Sequence, residues 1–206
     1  MHRLRGTLAA HTITKSYGDA VVLDGLTLSV TPSSRIGVVG PNGIGKSTLL
    51  RVLAGLEEPD SGRVTREPSG LGVAYLVQER DQDGLSGGES ARRYLESILA
   101  ADADVLLLDE PTNDLDFAAL ELLERFVDSH PGGIVAVSHD RAFLERMTAI
   151  VEFEAETRRV RVYAGGWNEF VELRGAARVR HESAYAGYRV ERARLEEQAR
   201  RMRQWE

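Results

Sequence analysis

The rhythm of apolar and polar positions changes along the chain, and the changes mark out its elements. Residues 7–13 and 21–30 read as strands, the second through the alternation of Leu26, Leu28 and Val30. Tyr17-Gly18-Asp19 between them reads as a turn. Residues 35–39, 105–108 and 133–138 are almost unbroken apolar runs, the pattern of strands covered on both faces in a parallel sheet. Residues 63–66 and 72–77 read as further strands, and 149–153 with 159–163 as a terminal hairpin. Helical spacing appears over 48–54, 117–128 and 141–147. A further helix is expected from Ser86, an N-cap with Glu89 three residues on, to about Ala101. Strands alternating with helices predict an α/β fold: a mainly parallel core sheet with an antiparallel N-terminal β portion. Beyond Gly165-Gly166 the chain reads as one long charged helix.

Chemistry enters at the end of the third strand. Gly40-Pro41-Asn42-Gly43-Ile44-Gly45-Lys46-Ser47-Thr48 fits G-x-x-x-x-G-K-[ST] at every fixed position, with an apolar strand before it and a helix after it. Such a loop turns backbone N–H groups around phosphate oxygens, and the helix presents its positive end to the same anion. Gly43 and Gly45 allow the close approach, Lys46 would reach the β- and γ-phosphates, and Ser47 would offer a hydroxyl to Mg²⁺. Of the 26 Lys+Arg residues only Lys15 and Lys46 are lysines. In so arginine-rich a chain, a lysine in the glycine loop marks a need for a compact point charge.

Composition narrows the class. A chain of 206 residues, 42% hydrophobic and 28% charged, suits one soluble domain with an appendage. Without cysteine there is neither a disulfide nor a thiolate metal site. No apolar run reaches the roughly 20 residues of a membrane span, no secretion signal is evident, and a cytoplasmic protein is expected. The net charge of −6 does not mark a nucleic-acid binder, but arginines outnumber acids from Trp167 onward.

Two more strand ends carry reactive side chains. Ligands bind at the carboxyl ends of strands in open α/β sheets. Asp109 and Glu110 follow the run 105–108, where the first can hold Mg²⁺ and the second can orient or polarise a water. His139 follows the run 134–138 and can contact a γ-phosphate. Ser138-His139-Asp140 is not read as a hydrolase triad, because triad partners face one another and rarely come from consecutive residues.

Leu85-Ser86-Gly87-Gly88-Glu89, about 20 residues before Asp109-Glu110, resembles the signature motif of ATP-binding cassette (ABC) ATPases. The resemblance extends over residues 5 to 165 and implies a P-loop NTPase of ABC type. Tyr17 would then stack on adenine. Gly40, Asn42, Gly43, Gly45, Lys46, Ser47 and Thr48 would hold phosphate. Ser47, Gln78 and Asp109 would serve Mg²⁺. Glu110, His139 and Lys46 would act on the reacting phosphate, and Ser86, Gly87 and Gly88 would face ATP bound to a partner cassette. Pro111-Thr-Asn-Asp-Leu-Asp116, Ser138-His-Asp-Arg-Ala-Phe-Leu144 and Tyr163-Ala-Gly-Gly-Trp167 resemble the ABC-F group in particular, with Asp114 where that group more often has histidine. ABC-F proteins carry two cassettes joined by a helical linker and act on ribosomes as translation or antibiotic-resistance factors. The resemblance therefore implies an ABC domain over 1–165, a linker start over 166–206, the cofactors ATP and Mg²⁺, and a second cassette and the ribosome as partners without membrane insertion. A transporter ATPase subunit and an ATP-gated, non-catalytic interaction module are the rival readings.

Two departures stand out. Six residues, Glu79 to Gly84, separate Gln78 from the signature motif. They span at most about 21 Å, too little for the helical subdomain the family carries there. Either that subdomain is deleted or its residues are left out of this sequence between 78 and 85, and the second, or an engineered deletion, is expected because residues 86–110 are otherwise intact. The chain also ends at Trp205-Glu206 without a helix stop signal, which suggests truncation.

Overall fold

A computed structural model of the chain describes residues 6–77, 87–155, 157 and 159–177. Gln78, Leu85, Ser86 and the tail from residue 178 onward lie outside the described residues. The chain divides into two units, Met1–Trp167 and Asn168–Glu206. Of the second, residues 168–177 are described and are helical.

The first unit holds two sheets. Strands β1 (Thr7–Tyr17), β2 (Ala20–Val30) and β4 (Ser61–Glu67) form an antiparallel sheet in the order β2-β1-β4. Strands β3 (Arg35–Val39), β5 (Val73–Val77), β6 (Val105–Asp109), β7 (Gly133–Val137), β8 (Ala149–Phe153) and β9 (Val160–Ala164) form the other, in the order β5-β6-β7-β3-β8-β9. Every neighbouring pair in it is parallel except β8 with β9. The expected α/β architecture is therefore present, down to the antiparallel N-terminal portion and the terminal hairpin.

The apolar runs explain the layering. β6 and β7 are buried at every position, as strands covered on both faces must be. One face contributes Ile36, Val38, Val105, Leu107, Val135 and Val137 to a core shared with Leu8, Ile13, Leu23 and Leu28 of the antiparallel sheet. Helix α1 (Lys46–Ala54) places Leu49, Leu50 and Leu53 in that same core. Helices α2 (Gly87–Ala100), α3 (Phe117–Ser129) and α4 (Arg141–Leu144) complete the unit. On the opposite face a Cβ at Gly37 would meet Leu144 and Ile150, so α4 packs directly on the sheet there.

β1 runs to Tyr17, four residues beyond the stretch its apolar pattern marks. Its register shifts between Ala10 and Ile13, and Thr12 has φ 48°. This irregularity inserts a residue and returns Ile13 to the buried face. It also delivers Tyr17 to the end of the strand beside the phosphate loop.

Candidate nucleotide site

The carboxyl ends of the parallel strands open into a cleft of about 770 Å³. Its lining includes Tyr17, Asn42, Gly43, Gly45, Lys46, Ser47, Thr48, Asp109, Glu110 and His139, from four separate segments. The residues expected to act together are thus side by side. Gly40 is not in the lining, and neither are Gly87 and Gly88 at the start of α2.

The loop after β3 owes its shape to glycine. Gly43 and Gly45 have φ 75° and 121°. A Cβ at Gly45 would lie 2.0 Å from Val22 Cγ1, whereas one at Gly43 would project into open space. Gly45 is the N-cap of α1 and supplies no capping side chain, and the first turn carries no acid. The opening N–H groups of the helix are therefore donors in search of an anion.

Lys46 is buried, 6% exposed. Its ammonium donates to Gly40 O at 2.7 Å, Pro41 O at 3.1 Å and Asn42 Oδ1 at 3.4 Å. His139 Nε2 is also 3.4 Å away. Burial pushes the Lys46 pKa down, and the charges of Glu110 and Asp109 oppose that shift.

Glu110 and His139 face each other, with Oε1 3.2 Å from Nε2. Glu110 has φ 52°, a left-handed conformation unusual for a residue with a side chain. Its N–H donates to Val137 O at 3.0 Å, which ties the turn after β6 to the end of β7. His139 is set by its neighbours. Ser138 Oγ lies 2.9 Å from Thr112 Oγ1 and accepts from Asp140 N at 3.0 Å, while Asp140 caps α4 by accepting from Phe143 N at 2.8 Å. Ser138 and Asp140 therefore serve the backbone, in keeping with the rejection of a triad.

Asp109 is 8% exposed and is held by two phenols. Tyr75, on β5, donates to Oδ2 at 3.0 Å. Tyr94, on α2, accepts from Asp109 N at 3.1 Å and lies 2.7 Å from Leu76 O and 3.1 Å from Asp109 O. Burial first, then Asp109, pushes Tyr75 up to about 12, and burial raises Tyr94 as well, so both stay protonated donors. Asp109 and the Ser47 hydroxyl make an oxygen-only donor set in a cleft that also offers phosphate donors, which fits a hard cation such as Mg²⁺. Thr48 Oγ1 is engaged elsewhere, accepting from Arg51 Nη2 at 3.1 Å.

Tyr17 is 47% exposed, with its hydroxyl donating to Glu57 Oε1. That bond first, and then Arg51 and Lys15, hold the Glu57 carboxyl below its usual range against desolvation. Sequence reasoning passed over Glu57, Arg51, Tyr75 and Tyr94. The roles of Glu57, Tyr75 and Tyr94 depend on partners 15 to 40 positions distant, and Arg51 is drawn in through Glu57; the one local signal is Tyr75 inside an otherwise aliphatic strand.

A family model described as "ABC transporter" matches residues 23–81. The tylosin resistance ATP-binding protein TlrC of Streptomyces fradiae is 31% identical over 267 positions, covering 89% of this chain and 48% of that protein. The energy-dependent translational throttle protein EttA of Escherichia coli K12 is 34% identical over 212 positions, covering 81% of this chain and 38% of that protein. The ABC transporter ATP-binding protein YfmR of Bacillus subtilis is 32% identical, covering 83% of this chain and 34% of that protein. The chain thus spans less than half the length of these relatives. The match to TlrC is longer than the 206 residues of the chain, so TlrC carries residues with no counterpart here. Matched in sequence to these proteins and folded around a complete phosphate loop, the chain belongs to the ATP-binding cassette family, as an ABC-F-like cassette.

Proposed function

We propose that the chain binds ATP with Mg²⁺ and hydrolyses it to ADP and phosphate at a site completed by a second cassette. The observation that carries the reading is the single cleft in which Lys46, Ser47, Asp109, Glu110 and His139 meet. Gly43, Gly45, the α1 N-terminus and Lys46 take the phosphates, and Tyr17 takes the base. Ser47 and Asp109 hold the cation, with Gln78 as the third residue expected there. A cation held there would neutralise charge on the bound phosphates. Glu110 orients the attacking water and receives its proton as the new P–O bond forms and the bond to the β–γ bridging oxygen breaks. His139, 3.2 Å from Glu110, holds that carboxylate and the γ-phosphate together. Lys46 balances the charge that gathers on the phosphoryl oxygens.

Gly87 and Gly88 lie apart from this cleft, as they would if they faced ATP on a partner cassette. Residues 1–165 form the cassette in this reading, and 166–206 begin an interdomain linker. The parent protein would act on the ribosome, in translation or in antibiotic resistance. The names of EttA, a translational throttle, and TlrC, a resistance protein, support that reading over membrane transport. Among the described residues no helix is long and apolar enough to cross a membrane. The facing Glu110 and His139 favour hydrolysis over a purely ATP-gated module.

The test is the ATPase rate per chain as chain concentration rises. A rate that climbs with concentration supports a two-cassette site. Full turnover by a demonstrated monomer, independent of concentration, rejects it. Sedimentation of the parent protein with ribosomes, and not with membranes, separates the translation reading from the transport one.

A further inference from the structure

One of the two lysines is explained by the phosphate loop, and the other is not. Lys15 lies near the end of β1, two residues before Tyr17. Its ammonium donates to Glu58 O at 2.8 Å and Asp60 Oδ1 at 3.3 Å, and it pairs with Glu57 Oε1 at 3.5 Å. Three N–H donors thus meet three acceptors, a match for a compact ammonium and a poor one for a planar guanidinium. The same ammonium stands over the Tyr17 ring, 5.8 Å from its centroid. That places a cation on one face of a ring that also lines the cleft.

Glu57 joins this pair to the phosphate loop. Its Oε1 accepts from the Tyr17 hydroxyl, and its Oε2 accepts from Arg51 Nε at 3.2 Å. Arg51 in turn donates to Thr48 Oγ1. A half-exposed tyrosine is ordinarily free to change rotamer. This one is held at its hydroxyl and backed by an ammonium, and the carboxylate that holds it is bound to the first helix of the phosphate loop.

We propose that Lys15, Glu57 and Tyr17 form one preorganised platform for the nucleotide base, in which Lys15 and Glu57 are positioning residues that fix the Tyr17 ring relative to the phosphate loop. The proposal rests on the nucleotide-binding reading above. The platform lowers the ordering cost of stacking and so strengthens binding of a ligand that carries a base. A ligand with phosphates alone gains nothing from it.

The test titrates the full chain with Mg²⁺–ATP and, separately, with Mg²⁺–tripolyphosphate, which has no base. Glu57→Leu and Lys15→Met are each expected to weaken ATP binding about 3- to 10-fold, the range of one lost hydrogen bond, and to leave tripolyphosphate unchanged. Tyr17→Phe keeps the ring and removes the hydroxyl. In that background Glu57→Leu is expected to weaken ATP binding by less than about two-fold, because the interaction it removes is already gone. Equal losses for both ligands would overturn the proposal, as would no loss for ATP or an undiminished Glu57→Leu effect in the Tyr17→Phe background. A wild-type chain that binds neither ligand rejects the nucleotide reading itself, and the platform with it. A wild-type chain that binds both, beside variants that bind ATP normally, rejects the platform alone.

Discussion

The hydroxyl of Tyr94 is wedged between two strands near their carboxyl ends, 3.1 Å from Asp109 N and 2.7 Å from Leu76 O. Leu76 pairs with Leu108 in the ladder of β5 and β6, so a side chain from α2 closes the end of that ladder. It holds the backbone of Asp109, while Tyr75 holds its carboxylate. Tyr94→Phe keeps the ring and strands buried partners. It is expected to cost about 1–3 kcal/mol of stability, read from the midpoint of urea unfolding.

Lys46 gives a pH dependence with a definite sign. Burial makes the folded chain hold this proton less tightly than the unfolded chain, against the opposing charges of Glu110 and Asp109. Between the lowered pKa and the ordinary value of 10.5 the unfolded state binds more protons, so this group makes stability rise with pH across that window. Phosphate binding wants the charged form. ATP affinity is therefore expected to fall as pH climbs toward 10, measured by titration calorimetry at fixed Mg²⁺. Lys46→Met is expected to abolish detectable ATP binding without lowering the melting temperature of the nucleotide-free chain.

Glu110, the proposed general base, has a left-handed backbone, φ 52°. Such strain costs about 1–2 kcal/mol outside glycine. Glu110→Gly is therefore expected to be more stable than Glu110→Ala by about 1 kcal/mol in denaturant unfolding. Glu110→Gln keeps the shape and removes the proposed base. Its hydrolysis is expected to drop by roughly 10²–10⁴-fold with ATP binding retained.

Arg35 anchors the opposite end of the sheet. Its guanidinium donates to Val127 O and Gly132 O, each at 2.8 Å, to Ser34 O at 3.0 Å, to Pro32 O at 3.3 Å and to His130 O. It satisfies the carbonyls at the end of α3 and the loop into β7. Arg35→Lys cannot reproduce the fork. A loss of about 2–4 kcal/mol is expected from unfolding curves, from several charge-assisted bonds to buried carbonyls.

Much of this was legible because it is local. The phosphate loop is written in nine consecutive residues, and the buried strands 105–108 and 133–138 in runs without alternation. Other features depend on distant pairing. Helix α4 ends at Leu144, three residues before the periodicity would end it. Arg146 N and Met147 N bond three residues back, and Thr148 N donates to Arg35 O at 2.7 Å. The chain is drawn into β8 by its partner strand, and no local pattern announces that. The bulge at Thr12 escapes notice for the same reason, since only pairing with β2 and β4 reveals it. Tyr75, Tyr94 and Glu57 are read as strand, helix and loop residues until the fold brings Asp109 and Tyr17 beside them. The expectations for Gln78 and Ser86 concern positions outside the described residues.

The most direct test of the account is calorimetric titration of the chain with ATP in the presence of Mg²⁺, beside Lys46→Met. The account predicts saturable binding of one ATP per chain, lost in the variant and weakened when Mg²⁺ is chelated. No binding by the wild-type chain, or equal binding by Lys46→Met, would contradict it.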